Sequence, residues 1–270
     1  MHVSALYTYP IKSCRGTPVD SAQVGPRGIQ GDRQLMLVTT EGNFLTQRQH
    51  PRMALIYPQW QADYLKLVAP AMPDQAIQPT NAGPRRRVVV WRDTCDAIDQ
   101  GDRAAEWFSE YLGFSCRLVR MADDFVRQVN QAYAPRPSDQ TGFADGYPFL
   151  IVSQASLDDL NTRLSAPLPM DRFRPNLVIA GCMPFAEDGW QVIRVGDLLF
   201  DVVKPCARCV VTTTDQDTAV RGKEPLNTLA AYRTLDGKVM FGQNAIHRSG
   251  GQICRGDTVD VLKPGLPSKF

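Results

Sequence analysis

Histidine is scarce in this chain of 270 residues, which contains only His2, His50 and His247. So few imidazoles argue against a histidine-rich metal site, because zinc and similar ions usually take several Cys or His ligands. They also argue against a Ser-His-Asp hydrolase, whose general base is a histidine. The chemistry of the protein is therefore expected from other side chains.

Long apolar runs are also missing. No stretch approaches the ~18 consecutive apolar residues typical of a membrane span. Residues 1–7 lack the basic and extended apolar regions of a signal peptide. We therefore predict a cytoplasmic protein that does not contact a membrane.

The chain has no strong excess of either charge, with 30 basic and 28 acidic residues and a net charge of +2. This balance argues against a dedicated nucleic-acid binder, for which a basic face is typical. Arg85, Arg86 and Arg87 form the one dense basic run, and we interpret it as a solvated loop edge.

Cysteine is present in an odd number, seven, which favours free thiols in a reducing compartment over a disulfide framework. The only closely spaced pair is Cys206 and Cys209, within residues 204–214. Lys204 and Arg208 place positive charge beside the two thiols, which favours the thiolate form that binds metals. Pro205 is predicted to break the strand formed by residues 200–203, because proline has no N–H for a sheet ladder. The thiols would then face a cleft at a strand break.

The cysteine pair allows several interpretations. A zinc site would need a second pair of Cys or His ligands, and the other cysteines are isolated. A thioredoxin-like dithiol should open a helix, whereas the β-branched residues 210–213 predict a strand. Two interpretations remain open. One is a single thiolate that binds a metal whose other ligands come from a cofactor, and the other is a plain buried pair.

Short apolar segments at close spacing predict a mainly β protein with a few helices, of the α+β class. Helices are expected at residues 102–112, at residues 153–164 and after Pro225. Strands are expected at residues 6–9, 34–40, 44–46, 54–57, 64–68, 88–91, 116–119, 149–152, 177–180, 190–195, 198–203, 210–213, 241–246 and 258–262. The proline-containing segment 122–146 predicts a junction, which divides the chain into domains 1–121 and 122–270.

Three loops have compositions that suit a bound ligand. Lys12 and Ser13 lie in a loop, residues 11–16, that suits an anion, although a surface turn would look the same. Arg172, Arg174 and Asn176 offer planar, multi-donor contacts to a phosphate or heterocycle, or form a salt-bridged strand edge. The third loop contains Asp145, Gly146 and Tyr147, where glycine lets a ligand approach the backbone but a plain turn is the default.

Six motifs, taken in order, carry a family resemblance across nearly the whole chain. They are Tyr9-Pro10-Ile11-Lys12-Ser13-Cys14-Arg15-Gly16, Gly31-Asp32-Arg33, Asp145-Gly146-Tyr147-Pro148-Phe149, Phe173-Arg174-Pro175-Asn176, Lys204-Pro205-Cys206-Ala207-Arg208-Cys209 and Phe241-Gly242-Gln243-Asn244. Together they resemble the MOSC superfamily, named for the C-terminal domain of molybdenum cofactor sulfurase. The sequence is most similar to bacterial relatives of the mitochondrial amidoxime-reducing component.

The resemblance implies a β-rich N-terminal domain followed by a MOSC β-barrel domain, with molybdenum cofactor (Mo-molybdopterin) between them. In that family the second cysteine of the Cys-x-Arg-Cys stretch ligates molybdenum, which makes Cys209 the implied metal ligand and catalytic residue. The implied cofactor-binding residues are Lys12, Ser13, Arg33, Asp145, Gly146, Tyr147, Arg174, Asn176, Cys206 and Arg208. A soft thiolate suits a redox transition metal, and the cations suit the pterin phosphate.

The implied activity is the two-electron reduction of small N-hydroxylated compounds, such as hydroxylaminopurines, amidoximes or hydroxylamines, to amines or amidines. The alternative is a carrier of molybdenum cofactor or sulfur without its own turnover. The chain lacks the C-x₄-C-x₂-C run of a [2Fe–2S] domain, so no iron–sulfur cluster is expected in it. Electrons are then expected from a separate donor protein, either ferredoxin-like or a flavin reductase.

Overall fold

Strands dominate the first half of the chain. The computed structural model describes residues 1–265, and its longest helix, α1, covers Asp102–Leu112. The strands of this half are β1 (His2–Thr8), β2 (Thr17–Val19), β3 (Ser21–Gly25), β4 (Gly28–Ile29), β5 (Leu35–Val38), β6 (Tyr57–Gln61), β7 (Tyr64–Val68), β8 (Gln75–Ile77), β9 (Arg85–Val90), β10 (Asp93–Asp99) and β11 (Arg117–Met121).

The second half is also built mainly from strands. They are β12 (Phe149–Ser153), β13 (Leu177–Ala180), β14 (Trp190–Val195), β15 (Leu198–Ala207), β16 (Thr234–Leu235), β17 (Lys238–His247), β18 (Gly251–Cys254) and β19 (Val259–Pro264). Two helices, α2 (Gln154–Thr162) and α3 (Leu226–Ala230), complete it. Short 3₁₀ helices occur at Pro51–Leu55, Met170–Arg172, Ala186–Gly189 and Val210–Thr213. The prediction of a mainly β protein with a few helices is confirmed.

The helices follow the local signals in the sequence. Trp107, Phe108 and Tyr111 of α1 recur at helical spacing and are buried in the core of the first half. Gly113 ends this helix in the left-handed conformation that glycine adopts readily, with φ 82°. The hydroxyl of Ser153 caps α2. No helix within residues 1–265 has the length and apolar character needed to cross a bilayer.

The largest sheet contains strands from both halves of the chain. Its order is β19-β14-β15-β17-β12-β13-β1-β2, with β16 paired to β17. Strand β1 is antiparallel to β13, and Leu6 lies opposite Leu177, so the loop after β1 meets the loop before β13. On β17, Asn244 lies opposite both Leu150 and Lys204. The start of β12 and the last part of β15 therefore flank the middle of β17.

Smaller sheets complete the fold. Strands β5, β11, β10 and β9 form a four-stranded sheet in that order, and α1 packs on β11. Strands β6, β7 and β8 form a second sheet. The third sheet has the order β18-β3-β4 and again joins the beginning of the chain to its end. The boundary at residues 121 and 122 stays a prediction, and the segment 122–146 contains no helix or strand.

Two predictions around the cysteines were wrong. Pro205 does not break its strand, since β15 continues to Ala207 with register shifts on both sides of the proline. These irregularities absorb the missing N–H. Val210–Thr213 forms a 3₁₀ helix rather than a strand, because the hydroxyls of Thr212 and Thr213 each bond the carbonyl three residues earlier.

Other errors lie in the first half of the chain. Residues 44–46 form only an isolated bridge from Phe44 to Val38, and residues 54–57 span the end of a 3₁₀ helix and the start of β6. Strands β8 and β10 were not predicted. The arginine run begins β9 instead of lying in a loop. Arg85 and Arg86 are exposed there and pair with Asp124 and Asp99, respectively.

Candidate functional site

A cleft between the two halves of the chain brings every residue of the predicted site together. Its walls come from the loop after β1, the loop before β12, the loop before β13 and the end of β15. The eleven predicted residues that line it are Lys12, Ser13, Arg33, Asp145, Gly146, Tyr147, Arg174, Asn176, Cys206, Arg208 and Cys209. Their roles stay predictions, but their placement in one cleft makes a common ligand possible.

A buried tyrosine supports two of the cations. Tyr9 is 1% exposed, and the guanidinium carbons of Arg33 and Arg174 lie 4.2 and 4.3 Å from its ring centroid. Its hydroxyl donates to the Pro175 carbonyl at 2.9 Å. Burial raises the pKa of Tyr9, so the phenol stays neutral. Tyr9 thus joins the two halves of the chain and contacts two residues that line the cleft.

Arg33 is also held by hydrogen bonds. Its Nη1 donates to Asp32 Oδ2 at 2.7 Å and to Asn176 Oδ1 at 3.0 Å, and its Nη2 donates to the Arg174 carbonyl at 3.3 Å. Desolvation lowers the pKa of Arg33, but the hydrogen bond to Asp32 and the attraction to Asp32, Tyr9 and Asp145 together outweigh it, and the net shift is upward. The cation is therefore permanently charged and fixed in orientation.

A lysine and an aspartate also line the cleft. Lys12 is 4% exposed; its Nζ donates to the Phe143 carbonyl at 2.8 Å and pairs with Asp145 Oδ1. Desolvation lowers the pKa of Lys12. Desolvation alone would raise the pKa of Asp145, but attraction to Lys12 and its hydrogen bond hold that pKa well below its ordinary value. The carboxyl group of Asp145 is therefore ionised at neutral pH.

The cysteines differ in their surroundings. Arg208 Nη1 lies 3.1 Å from Cys206 Sγ, while its Nη2 donates to the Phe173 carbonyl at 2.6 Å. Cys209 Sγ instead lies 3.7 Å from Nη1 of Arg48, which comes from the first half of the chain. Both thiols are half-buried and free. An arginine side chain therefore lies beside each sulfur.

Three of the cleft residues have an unusual backbone conformation. Ser13, Arg33 and Arg174 have φ values of 66°, 45° and 56°. Non-glycine residues seldom occupy this left-handed region. Such conformations cluster at functional sites, where the surrounding contacts enforce them. At Gly146, an added Cβ would meet no protein atom within 4 Å, so no packing demand explains the glycine.

Sequence reasoning missed Arg48 and did not assign Asn244 a role, and both line the cleft. Asn244 belongs to a motif quoted above, and its Nδ2 donates to the Lys204 carbonyl at 3.2 Å. Arg48 lies in an ordinary polar stretch and carries no signal of its own. It reaches the cleft because its loop, which belongs to the first half of the chain, lies against the second half.

The charges of the cleft select the ligand class. Five lining residues are basic, Lys12, Arg33, Arg48, Arg174 and Arg208, and one, Asp145, is acidic. Within residues 1–265, the buried Arg174 Nη1 and Arg208 Nε have no hydrogen-bond acceptor. Buried donors are normally paired, so these two point to an anionic or acceptor-rich ligand. No group of three or more His, Cys, Asp or Glu side chains in the described part of the chain could hold a metal.

Comparison with known proteins identifies the family to which the chain belongs. A model of the MOSC N-terminal beta barrel domain matches residues 1–115, and a MOSC domain model matches residues 138–260. Mitochondrial amidoxime-reducing component 1 of Mus musculus and that of Homo sapiens are each 38% identical, over 96% of this chain and 82% of theirs. The chain belongs to the MOSC-domain family. A molybdenum cofactor sulfurase from Oryza sativa subsp. japonica is 33% identical over 90% of this MOSC protein, which spans 32% of the rice protein.

Proposed function

We propose that this MOSC protein binds molybdenum cofactor in the cleft and reduces N-hydroxylated compounds to amines or amidines. One observation carries the proposal: two buried guanidinium donors without acceptors among residues 1–265 lie among five cations, beside two free cysteines. The names of the mouse and human relatives describe amidoxime reduction, and that of the rice relative describes the cofactor.

The residues of the cleft fit the cofactor. Its phosphate needs cationic donors, which Arg33, Arg174 and Lys12 offer in fixed positions. Its metal favours soft ligands, and Cys209 offers a thiolate sulfur. When bound, the cofactor supplies a two-electron redox centre, while the protein orients and tunes it.

The proposed reaction is a two-electron reduction that takes place beside the two cysteines. The net reaction consumes one N-hydroxylated molecule, two electrons and two protons, and it yields one amine and one water as the N–O bond breaks. A separate electron-transfer protein, ferredoxin-like or a flavin reductase, supplies the electrons. Arg208 places positive charge beside the Cys206 sulfur, and Arg48 places positive charge beside the Cys209 sulfur.

Metal analysis and turnover test this proposal together. Cys209→Ser should lose most of the molybdenum held by wild-type protein from a cofactor-competent host, because the alcohol does not replace a soft thiolate. Cys254→Ser is the matched control and should keep the metal, since this half-buried thiol lies outside the cleft. Wild type should reduce 6-hydroxylaminopurine with an artificial electron donor. Equal molybdenum in wild type and Cys209→Ser would contradict the assignment of the ligand, and retention without turnover would favour the carrier.

A further inference from the structure

An arginine at the cysteine end of the cleft retains hydrogen-bonding capacity. Arg48 Nη1 lies 3.7 Å from Cys209 Sγ, and within residues 1–265 this side chain forms no ion pair. A sulfur is a weak acceptor, and a guanidinium has five N–H donors. The remaining donors of Arg48 are therefore available to whatever lies next to Cys209.

A tryptophan in an unfavourable backbone conformation holds this arginine. Trp91 lies at the tip of the hairpin between β9 and β10, with φ 59°. Glycine or asparagine fits such a position better. The guanidinium carbon of Arg48 lies 4.3 Å from its ring centroid, and its indole N–H donates to Asp145 Oδ1 at 3.1 Å. The side chain is 45% exposed, so burial does not explain it. Its ring also contacts the Phe44 ring, with 5.2 Å between centroids, and its remaining contacts are with the two cleft residues Arg48 and Asp145.

The backbone of Arg48 is tied to the other half of the chain. Gln47 and Gln216 exchange two amide hydrogen bonds, each of 3.2 Å. Arg221 Nη2 donates to the Gln47 carbonyl at 2.6 Å. The guanidinium of Arg48 is thus positioned from its backbone and from its planar face, as expected of a residue that must meet a ligand in one geometry.

We propose that Arg48, held by Trp91, orients the oxygen-bearing end of the N-hydroxylated substrate beside Cys209. This inference rests on the function proposed above. The substrate carries an N-hydroxyl oxygen that accepts a hydrogen bond, and the amine product lacks it. A charge-assisted hydrogen bond from Arg48 to that oxygen therefore favours substrate over product. Trp91 is a positioning residue, since it acts through Arg48.

Binding measured without turnover tests the pairing of Arg48 with the oxygen. Oxidised, cofactor-loaded protein without an electron donor is titrated calorimetrically with 6-hydroxylaminopurine and with adenine, the corresponding amine. Arg48→Gln should weaken binding of 6-hydroxylaminopurine by about 10- to 100-fold, because a hydrogen bond to a charged group is lost. Binding of adenine should change little. Equal weakening of both ligands would overturn the inference.

Metal content separates this role from cofactor binding. Arg48→Gln should retain the molybdenum of wild type, and loss of the metal would overturn the inference by assigning Arg48 to the cofactor. Arg52→Gln is a matched control. Arg52 stacks on Tyr111 at 4.6 Å, away from the cleft, and its replacement should leave both affinities unchanged.

Variants of Trp91 test the positioning role. Trp91→Gly should reduce the preference for 6-hydroxylaminopurine over adenine, whereas Trp91→Phe, which keeps an aromatic face, should preserve most of it. Ala62→Gly is the backbone control, since Ala62 has φ 51° in the hairpin between β6 and β7. Unchanged preference in Trp91→Gly would overturn the role of Trp91. If wild type neither binds nor reduces 6-hydroxylaminopurine, the proposed function fails; normal turnover with an unaffected Arg48→Gln variant refutes only this inference.

Discussion

Tyr9 offers a way to separate the stability of the protein from retention of the proposed cofactor. Tyr9→Phe removes only the hydroxyl and leaves the Pro175 carbonyl without its 2.9 Å hydrogen bond. An unsatisfied buried group costs about 1–3 kcal/mol. At roughly 2–4 °C per kcal/mol for domains of 150–250 residues, the midpoint of thermal unfolding should fall by about 2–12 °C. The aromatic face remains, so Arg33 and Arg174 should still hold the cofactor.

Tyr9→Leu removes the aromatic face as well. Tyr9 makes two contacts with guanidinium carbons, at 4.2 and 4.3 Å. A desolvated contact of this kind contributes up to about 2 kcal/mol. The total loss of stability should reach about 3–6 kcal/mol, since the two contacts share one ring and are not fully additive. We expect this variant to lose molybdenum, because both guanidiniums lose the surface that orients them.

The assay compares thermal unfolding with molybdenum content in wild type, Tyr9→Phe and Tyr9→Leu. Tyr111→Phe is the control: Tyr111 is 2% exposed, and its hydroxyl donates to the Arg52 carbonyl at 3.3 Å, outside the cleft. It should lose stability and keep the metal. The reasoning is refuted if both variants of Tyr9, Tyr9→Phe and Tyr9→Leu, keep the molybdenum, or if both lose it.

Two further predictions concern Gly16 and Glu187. Gly16→Ala would place a Cβ 2.3 Å from Cε1 of the buried Tyr9 ring. It should cost about 1–3 kcal/mol in chemical denaturation and also lower molybdenum content; unchanged values would contradict the contact. Burial of the Glu187 carboxyl raises its pKa above 4.5. Its contribution to stability is therefore full below that pH and is lost as the pH rises through the folded-state pKa. Denaturation of wild type and Glu187→Gln between about pH 4 and 8 should show wild type losing stability relative to the variant, whereas a constant difference would refute this titration.

The sequence was informative where a site residue lies in a short local motif. Lys12, Asp145, Arg174 and Cys209 each sit in a loop whose composition or motif could be recognised, and the fold brings these loops into one cleft. Arg48 was not predictable, because its position depends on hydrogen bonds between Gln47 and residues far along the chain. The residues next to Arg48 in the sequence do not indicate such long-range contacts.

The prediction of secondary structure around the cysteines failed for a related reason. The β-branched residues Val210–Thr213 favour a strand, but threonine hydroxyls that bond nearby carbonyls favour a tight turn of helix instead. Pro205 was expected to end β15, yet bulges allow the strand to pass through it. Strand propensity alone does not predict the observed structure at either position.

The pairing of β1 with β13 has a consequence for synthesis of the chain on the ribosome. His2 lies opposite Ala180, so the pairing of β1 with β13 must wait until synthesis has passed Ala180. At the usual rates of translation this delay is on the order of tens of seconds. The pairing of β3 with β18 waits longer still, until β18 is complete. The cleft therefore cannot form while only the first half of the chain exists, and loading with a cofactor has to follow synthesis of the second half.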